Sequence, residues 1–311
     1  MSPSMPPNSQ KRKIIIFSDF DGTIFMQDTG HILFDSFGCG AEERNKLDEQ
    51  IKTGERSFRD VSEEMWGSLN VPFDDGFVVM EKSLEIDPGF REFHQYCIEN
   101  GFPFNVISAG LKPVLRRVLD TFLGEKEASS IDIVANDAII DGSSWKPVWR
   151  HDNELGHDKA LSVNEARARA QLECLPDEMP LIVFIGDGVS DLAAAREADV
   201  LFARRGLRLE EYCLEHKIAY TPFDTFADIK REIEAISRED QHKTGGVGKP
   251  VRYNPRANMW RRISSKEAVP TLMAAATPSK EEKMFLWPET FTELKPQATI
   301  QEAEEPVTTA A

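Results

Sequence analysis

The run Ile14–Phe17 constrains the fold most, because it is apolar and rich in β-branched residues and ends abruptly at two carboxylates, Asp19 and Asp21. Such a run is typical of a strand buried in a parallel sheet. In open α/β sheets the carboxyl ends of the strands form the binding site. Two acids there could hold a hard cation, or divide nucleophilic attack and proton transfer between them. A simple Asx-type turn with Gly22 is the alternative, and the rest of the chain weighs against it.

Strand and helix patterns alternate over residues 87–237. The apolar strand patterns lie at 13–18, 103–107, 131–135, 181–185 and 200–203. This order predicts an α/β fold, with a Rossmann-like parallel sheet as the middle of three layers. The block 28–85 has helical patterns without strong strand signals, so we expect a helical cap inserted after the first strand, over the carboxyl edge of the sheet. Residues 136–157 are expected to be irregular.

These patterns divide the chain into a core domain at 13–27 and 86–238 and a cap at 28–85. Residues 1–12 are expected to form a disordered arm. The last part of the chain is rich in Pro, Ala, Thr and Glu. That composition predicts a mostly disordered tail at 239–311.

The charge of the chain restricts its partners. The 311 residues carry a net charge of −16 at pH 7, which argues against nonspecific binding to nucleic acid or to an anionic membrane. No apolar stretch is long enough for a membrane helix, and the N-terminus has no apolar secretion signal. The four cysteines lack metal-ligand spacing and are typical of reduced thiols. We therefore expect a cytoplasmic protein.

Polar groups follow three of the predicted strands and would meet at one edge of the sheet. They are Asp19 and Asp21 after the first strand, Ser108 and Ala109 after the second, and Asp187 and Asp191 after the fourth. Backbone N–H groups after Ser108 could hold an anion. Converging carboxylates repel one another unless a divalent cation lies among them, and Mg²⁺ fits an all-oxygen set best. Lys159, at the start of a helix, could neutralise Asp19 and a bound phosphate, although such a lysine is more often a surface charge.

The order of these residues resembles the four motifs of the haloacid-dehalogenase-like phosphatase superfamily. The matching residues are Asp19-Phe-Asp21-Gly-Thr23, Ser108, Lys159 and Gly186-Asp187-Gly-x-x-Asp191. The resemblance covers residues 13–237, and the block 28–85 is similar to the helical cap of the phosphoserine-phosphatase-like branch. Segments at 88–108 and 186–233 look closer still to bacterial 2-hydroxy-3-keto-5-methylthiopentenyl-1-phosphate phosphatases.

The resemblance implies a phosphatase that acts on a small phosphorylated metabolite. Asp19 would be the nucleophile and would become an aspartyl-phosphate. Asp21 would be the general acid for the leaving oxygen and then the base for water. Ser108, Ala109 and Lys159 would hold the phosphoryl oxygens. Phosphoryl transfer depends chiefly on neutralising charge and on in-line positioning, which agrees with these residue types.

The resemblance also implies a Mg²⁺ cofactor. Asp19, the backbone carbonyl of Asp21 and Asp187 would bind the ion, with Asp191 in support. This set agrees with the carboxylate cluster that the strand ends predict.

Unlike the catalytic residues, the cap residues that select the substrate have no recognisable sequence motif. Candidates are Asp28, just after the first motif, and Arg56 or Arg59, although each is more commonly a solvated helix charge. The segment 145–152 stands where the methylthiopentenyl-phosphate enzymes carry a Cys-rich stretch. This difference argues against that particular substrate.

Two other functions stay open at this point. A phosphomutase on the same scaffold would use Asp21 in a similar way, but it would exclude water and pass the phosphoryl group to a sugar hydroxyl. A non-catalytic binding protein would keep the fold, and the intact set of site residues argues against it. A dehalogenase is disfavoured, because it does not require the acid/base carboxylate that Asp21 supplies.

Overall fold

The computed structural model describes residues 11–175 and 178–247. The strands within these ranges are β1 Ile14–Ser18, β2 Phe104–Leu111, β3 Asp132–Asp141, β4 Ser144–Val148, β5 Leu181–Gly186, β6 Val200–Arg204 and β7 Thr221–Phe223. They form a seven-stranded sheet in the order β4-β3-β2-β1-β5-β6-β7. Every neighbouring pair is parallel except β3 and β4. The carboxyl end of β1 therefore lies between those of β2 and β5.

Helices flank the sheet and form the inserted block. In chain order they are α1 Thr29–Phe37, α2 Gly40–Thr53, α3 Phe58–Gly67, α4 Phe73–Ser83, α5 Phe90–Asn100, α6 Lys112–Leu123, α7 Glu125–Ala128, α8 Lys159–Glu173, α9 Leu192–Glu197, α10 Arg208–Glu215 and α11 Phe226–Thr244. Local signals set some of the ends: Ser57 caps α3 by accepting from the Asp60 N–H, and left-handed Gly101 ends α5. Among the described residues, none of the helices combines the length and apolarity needed to cross a bilayer.

The strands at the centre are buried on both faces. Val183 and Ile185 of β5 enter one apolar cluster, while Ile182 and Phe184 enter a second one. Alternate residues of a strand point to opposite faces, so the sheet has a packed layer on each side. This arrangement confirms the predicted α/β fold with its three layers.

The chain leaves the core after β1, forms helices α1–α4, and returns to the core before α5. The two linkers pair, because the Asp87 N–H donates to the carbonyl of Ile24 at 2.8 Å. Buried Arg204 joins both linkers, donating from Nη2 to the Thr23 carbonyl at 2.6 Å and to Asp87 Oδ2 at 2.9 Å. The two chain connections to the inserted block thus lie side by side, next to the end of β1.

The sequence predicts an irregular segment at 136–157, and this prediction is wrong for the part that forms a hairpin. Strand β3 continues to Asp141 and forms an antiparallel hairpin with β4. Pro147 lies in β4 at the edge of the sheet, where a residue without an N–H is tolerated. Trp145 is buried and donates from Nε1 to the carbonyl of Val71, between α3 and α4, at 2.8 Å. The hairpin is stabilised by this packing on the inserted helices, which no local pattern indicates.

Strand β2 and the C-terminal strand also differ from expectation. The sequence predicts that the second strand ends at Ile107, but β2 continues to Leu111 with a break in register after Ile107. The short strand β7 was not predicted, because three residues are too few for a recognisable alternation.

Both predicted boundaries of the core need correction. Arg12, placed in the disordered arm, is 6% exposed, and its Nε lies 2.9 Å from Asp240 Oδ2. That carboxylate belongs to α11, which continues to Thr244 and ends at left-handed Gly245, so a tail beginning at 239 starts too early. The ion pair of Arg12 with Asp240 therefore joins the residues before β1 to the end of α11. The remainder of the arm and tail, 1–10 and 248–311, lies outside the described residues.

Candidate active site

A buried lysine joins two carboxylates at the carboxyl edge of the sheet. Lys159 Nζ lies 2.8 Å from Asp19 Oδ2 and 2.8 Å from Asp191 Oδ1. Lys159 is only 2% exposed. Asp19 directly follows β1, Lys159 begins α8 and Asp191 lies in the loop after β5, so the sheet brings together groups that are far apart in sequence.

The ends of β1 and the start of α8 position this contact. The Asp19 N–H continues the sheet by donating to the carbonyl of Ile185 at 2.8 Å, and Asp19 Oδ1 accepts from the Phe20 N–H at 2.7 Å. Asp158 caps α8 by accepting from two N–H groups of its first turn. Lys159 is therefore the first residue of a capped helix. Since Oδ1 of Asp19 is bonded to the Phe20 N–H, the ammonium group of Lys159 contacts the other oxygen, Oδ2.

Asp191 organises the loop that follows β5. Its Oδ2 accepts from the N–H groups of Asp187 and Gly188, both at 3.0 Å, while Oδ1 accepts from Lys159. A Cβ on Gly186 would lie 2.4 Å from Asp191 Oδ2, so this position requires glycine. Both oxygens of Asp191 are engaged within the protein, and its direct effect is to hold the loop.

Asp187 is held from the opposite side by the loop after β1. Its Oδ1 accepts from Thr23 Oγ1 at 2.7 Å. Gly22 has φ +76° and a Cβ there would lie 2.4 Å from Asp187 Oδ2, so both the backbone conformation and the space exclude a side chain. The Gly-Thr pair of the first motif thus shapes the surroundings of a carboxylate from the fourth.

The carboxylates form a set that suits a divalent cation. Oxygen atoms of Asp19, Asp187 and Asp191 lie within 4.8 Å of one another. Burial, and then the charge of Asp191, raise the pKa of Asp19 well above its ordinary value, although Lys159 acts in the opposite direction. The same two causes raise the pKa of Asp187 to about 6. One lysine does not fully offset three acids, so the residues present fit Mg²⁺ on the side of Asp19 and Asp187.

Asp21 has a different environment from Asp19. Its Oδ1 accepts from the Thr29 N–H at 2.8 Å, and its Oδ2 accepts from Thr29 Oγ1 at 3.3 Å. Burial raises its pKa well above the ordinary value, the nearby charge of Asp28 adds to this, and the bonds from Thr29 lower it. A carboxyl group that keeps its proton more readily than usual can serve as a general acid.

The Ser108 segment, which is the part of β2 at residues 108–110, lies beside Asp21. An ideal Cβ on Gly110 would be 3.2 Å from Ser108 Oγ and 3.8 Å from Asp21 Oδ2. Ser108 is 2% exposed, and its Oγ accepts from the Gly110 N–H at 3.0 Å. The Ala109 carbonyl accepts from Asn136 Nδ2 at 2.8 Å, which fixes this part of β2 against β3. The irregular register after Ile107 therefore coincides with a stretch of β2 whose backbone is fixed by hydrogen bonds.

His157, which is not among the predicted site residues, also contacts the Ser108 segment. Its Nδ1 donates to the Ser108 carbonyl at 2.6 Å, and its Nε2 accepts from Ser162 Oγ at 3.0 Å. Burial lowers the pKa of His157 to about 3, so the ring is neutral near pH 7. In the sequence, His157 stands out only because it lies two residues before Lys159. That position does not predict its contact with Ser108.

The three cap candidates have different surroundings. Asp28 caps α1 by accepting from the His31 N–H at 2.8 Å, and its negative charge contributes to the raised pKa of Asp21. Arg56 pairs with Glu64 on α3 at 2.6 Å, and Arg59 pairs with Asp152 of the core at 2.7 Å. Among the described residues, neither arginine forms an ion pair with the carboxylates of the site. A substrate role for each of the three stays a prediction.

Comparison with known proteins identifies one family and several relatives. Residues 16–196 match the family described as haloacid dehalogenase-like hydrolase. The chain is 40% identical over 230 residues to Pdp3-interacting factor 1 of Schizosaccharomyces pombe, covering 73% of this chain and 98% of that one. It is 36% identical over 226 residues to polyol phosphate phosphatase PYP1 of Saccharomyces cerevisiae, covering 72% and 94%.

More distant matches agree with the resemblance drawn from the motifs. A 2-hydroxy-3-keto-5-methylthiopentenyl-1-phosphate phosphatase of Bacillus mycoides is 28% identical over 226 residues, covering 72% of this chain and 97% of the relative. The solved structure of a phosphoserine phosphohydrolase-like protein from Francisella tularensis matches with a TM-score of 0.53 at 17% identity, over 71% of this chain and 99% of that one. At such low identity the structural match concerns the fold alone.

Proposed function

The chain belongs to the haloacid dehalogenase-like hydrolase family, and we propose that it is a Mg²⁺-dependent phosphatase that hydrolyses a small-metabolite phosphomonoester through an aspartyl-phosphate. The observation that carries this proposal is that two neighbouring carboxylates, Asp19 and Asp21, have different partners. Asp19 is paired with Lys159 at 2.8 Å, whereas Asp21 is held by the hydrogen bonds of Thr29. One is therefore suited to attack phosphorus, and the other to move a proton.

In the first displacement an oxygen of Asp19 attacks phosphorus, and the bond from phosphorus to the substrate oxygen breaks. Asp21 gives its proton to that leaving oxygen, so an alcohol departs instead of an alkoxide. Lys159 and the Ser108 segment hold the phosphoryl oxygens and offset their charge.

In the second displacement Asp21, now ionised, takes a proton from water. The water oxygen attacks phosphorus, and the bond from phosphorus to Asp19 breaks. Inorganic phosphate leaves, the Asp19 carboxylate is restored, and Asp21 again carries its proton. The same residue acts as acid in one step and base in the other.

Asp19, the backbone carbonyl of Asp21 and Asp187 would hold Mg²⁺, while Asp191 keeps the loop in place. The ion would supply charge neutralisation for the carboxylates and the phosphoryl oxygens. Without that charge, the raised pKa values of Asp19 and Asp187 would leave a larger fraction of these groups protonated.

A phosphorylated polyol is the first substrate to test, because a relative at 36% identity is named as a polyol phosphate phosphatase. The four helices of the cap would limit the size of the ester that reaches the site. With a net charge of −16, the chain is not suited to nucleic acid or anionic membrane, and a cytoplasmic location is part of the proposal.

The test is phosphate release from a panel of polyol phosphates, sugar phosphates and phosphoserine, with Mg²⁺ and with a chelator. We expect release by the native chain with Mg²⁺, and a loss of at least about 10³-fold in kcat for Asp19→Asn. Equal activity of Asp19→Asn and native protein would contradict the role of Asp19. Transfer to a second hydroxyl without phosphate release would instead identify a phosphomutase.

A further inference from the structure

One residue of the cap holds both oxygens of Asp21. Thr29 is the first residue of α1, and it is 1% exposed. Its N–H donates to Asp21 Oδ1 at 2.8 Å and its Oγ1 donates to Oδ2 at 3.3 Å. Among the residues that the structure describes, Thr29 is the only hydrogen-bond partner of the Asp21 side chain. The carboxyl group is thus oriented by the cap, although Asp21 itself follows a core strand.

The start of α1 makes Thr29 available for this contact. The first N–H groups of a helix have no partner within the helix. Asp28 satisfies one of them by accepting from His31, whereas the N–H of Thr29 is directed to Asp21. As a β-branched residue, Thr29 also has few side-chain rotamers, and its burial restricts the hydroxyl further.

The two bonds have different consequences for a proton on Asp21. A backbone N–H can only donate, so Oδ1 accepts in both protonation states of the carboxyl group. A hydroxyl can donate or accept, so Oδ2 can carry the proton without losing Thr29 as a neighbour. Oδ2 is also the oxygen beside the Ser108 segment, 3.8 Å from the position that a Cβ on Gly110 would take. A proton on Oδ2 would therefore lie on the side of the Ser108 segment, which holds the phosphoryl group in the proposed mechanism.

We propose that Thr29 is the positioning residue of the general acid Asp21, and that its hydroxyl orients Oδ2 towards the leaving oxygen. This inference rests on the proposed phosphatase function. Thr29 itself touches Asp21 and is not assigned a contact with substrate.

The test uses two esters that differ in their need for a proton. An alkyl phosphate such as glycerol phosphate releases a poor leaving group and depends on the general acid, whereas p-nitrophenyl phosphate releases a stable anion. The variants are Thr29→Val, which removes the hydroxyl but keeps the N–H and the branched shape, and Thr29→Ser, which keeps the hydroxyl. The measured quantity is kcat/KM, because it reports the step in which the leaving group departs.

We expect Thr29→Val to lower kcat/KM for glycerol phosphate by about tenfold or more, and for p-nitrophenyl phosphate by less than about threefold. Thr29→Ser should keep the ratio of the two values close to that of the native chain. Equal losses on both esters in a folded Thr29→Val protein, or no loss on either, would overturn the positioning role alone. If the native chain hydrolyses neither ester nor any member of the phosphomonoester panel, the proposed function fails and this inference fails with it.

Discussion

Each residue of the site has its own set of hydrogen-bond and ion-pair partners. Asp191 uses both oxygens to organise its own loop and to pair with Lys159, and Asp187 gives one oxygen to Thr23. Neutral His157 holds the backbone of the Ser108 segment. His157 lies outside the four motifs, so a change at this position tests the geometry of the site without removing one of its acids.

His157 predicts a defined pH dependence of stability. Its pKa is lowered in the folded state, so its contribution is present above the unfolded value of 6.5 and is lost as the pH falls towards about 3. At pH 5 the loss should be about 2 kcal/mol relative to pH 7.5. Urea unfolding of the native chain and of His157→Asn, which keeps an N–H donor but does not titrate, measures the difference. An identical fall in both proteins between these pH values would contradict the prediction.

At the scale of elements, the cap and the β3–β4 hairpin depend on each other. Trp145 of β4 lies with its ring centre 6.1 Å from that of Trp66 on α3 and 5.6 Å from that of Phe73 on α4. Arg59 of α3 also pairs with Asp152 beyond the hairpin, but Asp152 is almost fully exposed, so that ion pair contributes little. The ring contacts of Trp145 and its hydrogen bond to the Val71 carbonyl therefore join the hairpin to the cap.

We predict that Trp145→Ala lowers the free energy of unfolding by about 3–5 kcal/mol, because it removes a large buried ring and leaves the Val71 carbonyl without its donor. Lys146→Ala, one residue further on the same strand and exposed, is the matched control and should change it by less than about 0.5 kcal/mol. Urea unfolding measures both. A loss in Trp145→Ala no larger than in the control would show that the hairpin packing is unimportant for stability.

At the scale of the whole molecule, the site joins the ends of two strands and the start of a helix through buried charge. Asp19, Asp187 and Asp191 would repel one another in the folded chain and be separated in the unfolded one. The folded state should therefore bind a divalent cation that the unfolded state does not, and binding to the folded state alone stabilises it.

Mg²⁺ at about 100 times its dissociation constant should raise the free energy of unfolding by about 2.7 kcal/mol, seen as a higher melting temperature. Asp187→Asn should lose most of that shift. Asp132→Asn, an exposed substitution at the start of β3, should keep it. A Mg²⁺ effect that is equal in all three proteins would place the ion elsewhere or indicate a nonspecific salt effect.

Local patterns in the sequence indicated five of the strands, the helical block after the first strand, and the identity of the acids and the lysine that meet at the sheet edge. They could do so because strand periodicity, helix caps and the four motifs are properties of short segments. The family match at 16–196 agrees with that reading.

Only the tertiary structure decided which groups hold the site in place. The contacts of Thr29 with Asp21, of His157 with Ser108 and of Trp145 with the cap join residues from different elements. Such contacts depend on how helices and strands pack, and burial then sets the pKa of each group. No short segment of sequence encodes that packing, so these partners became visible only when the elements were assembled.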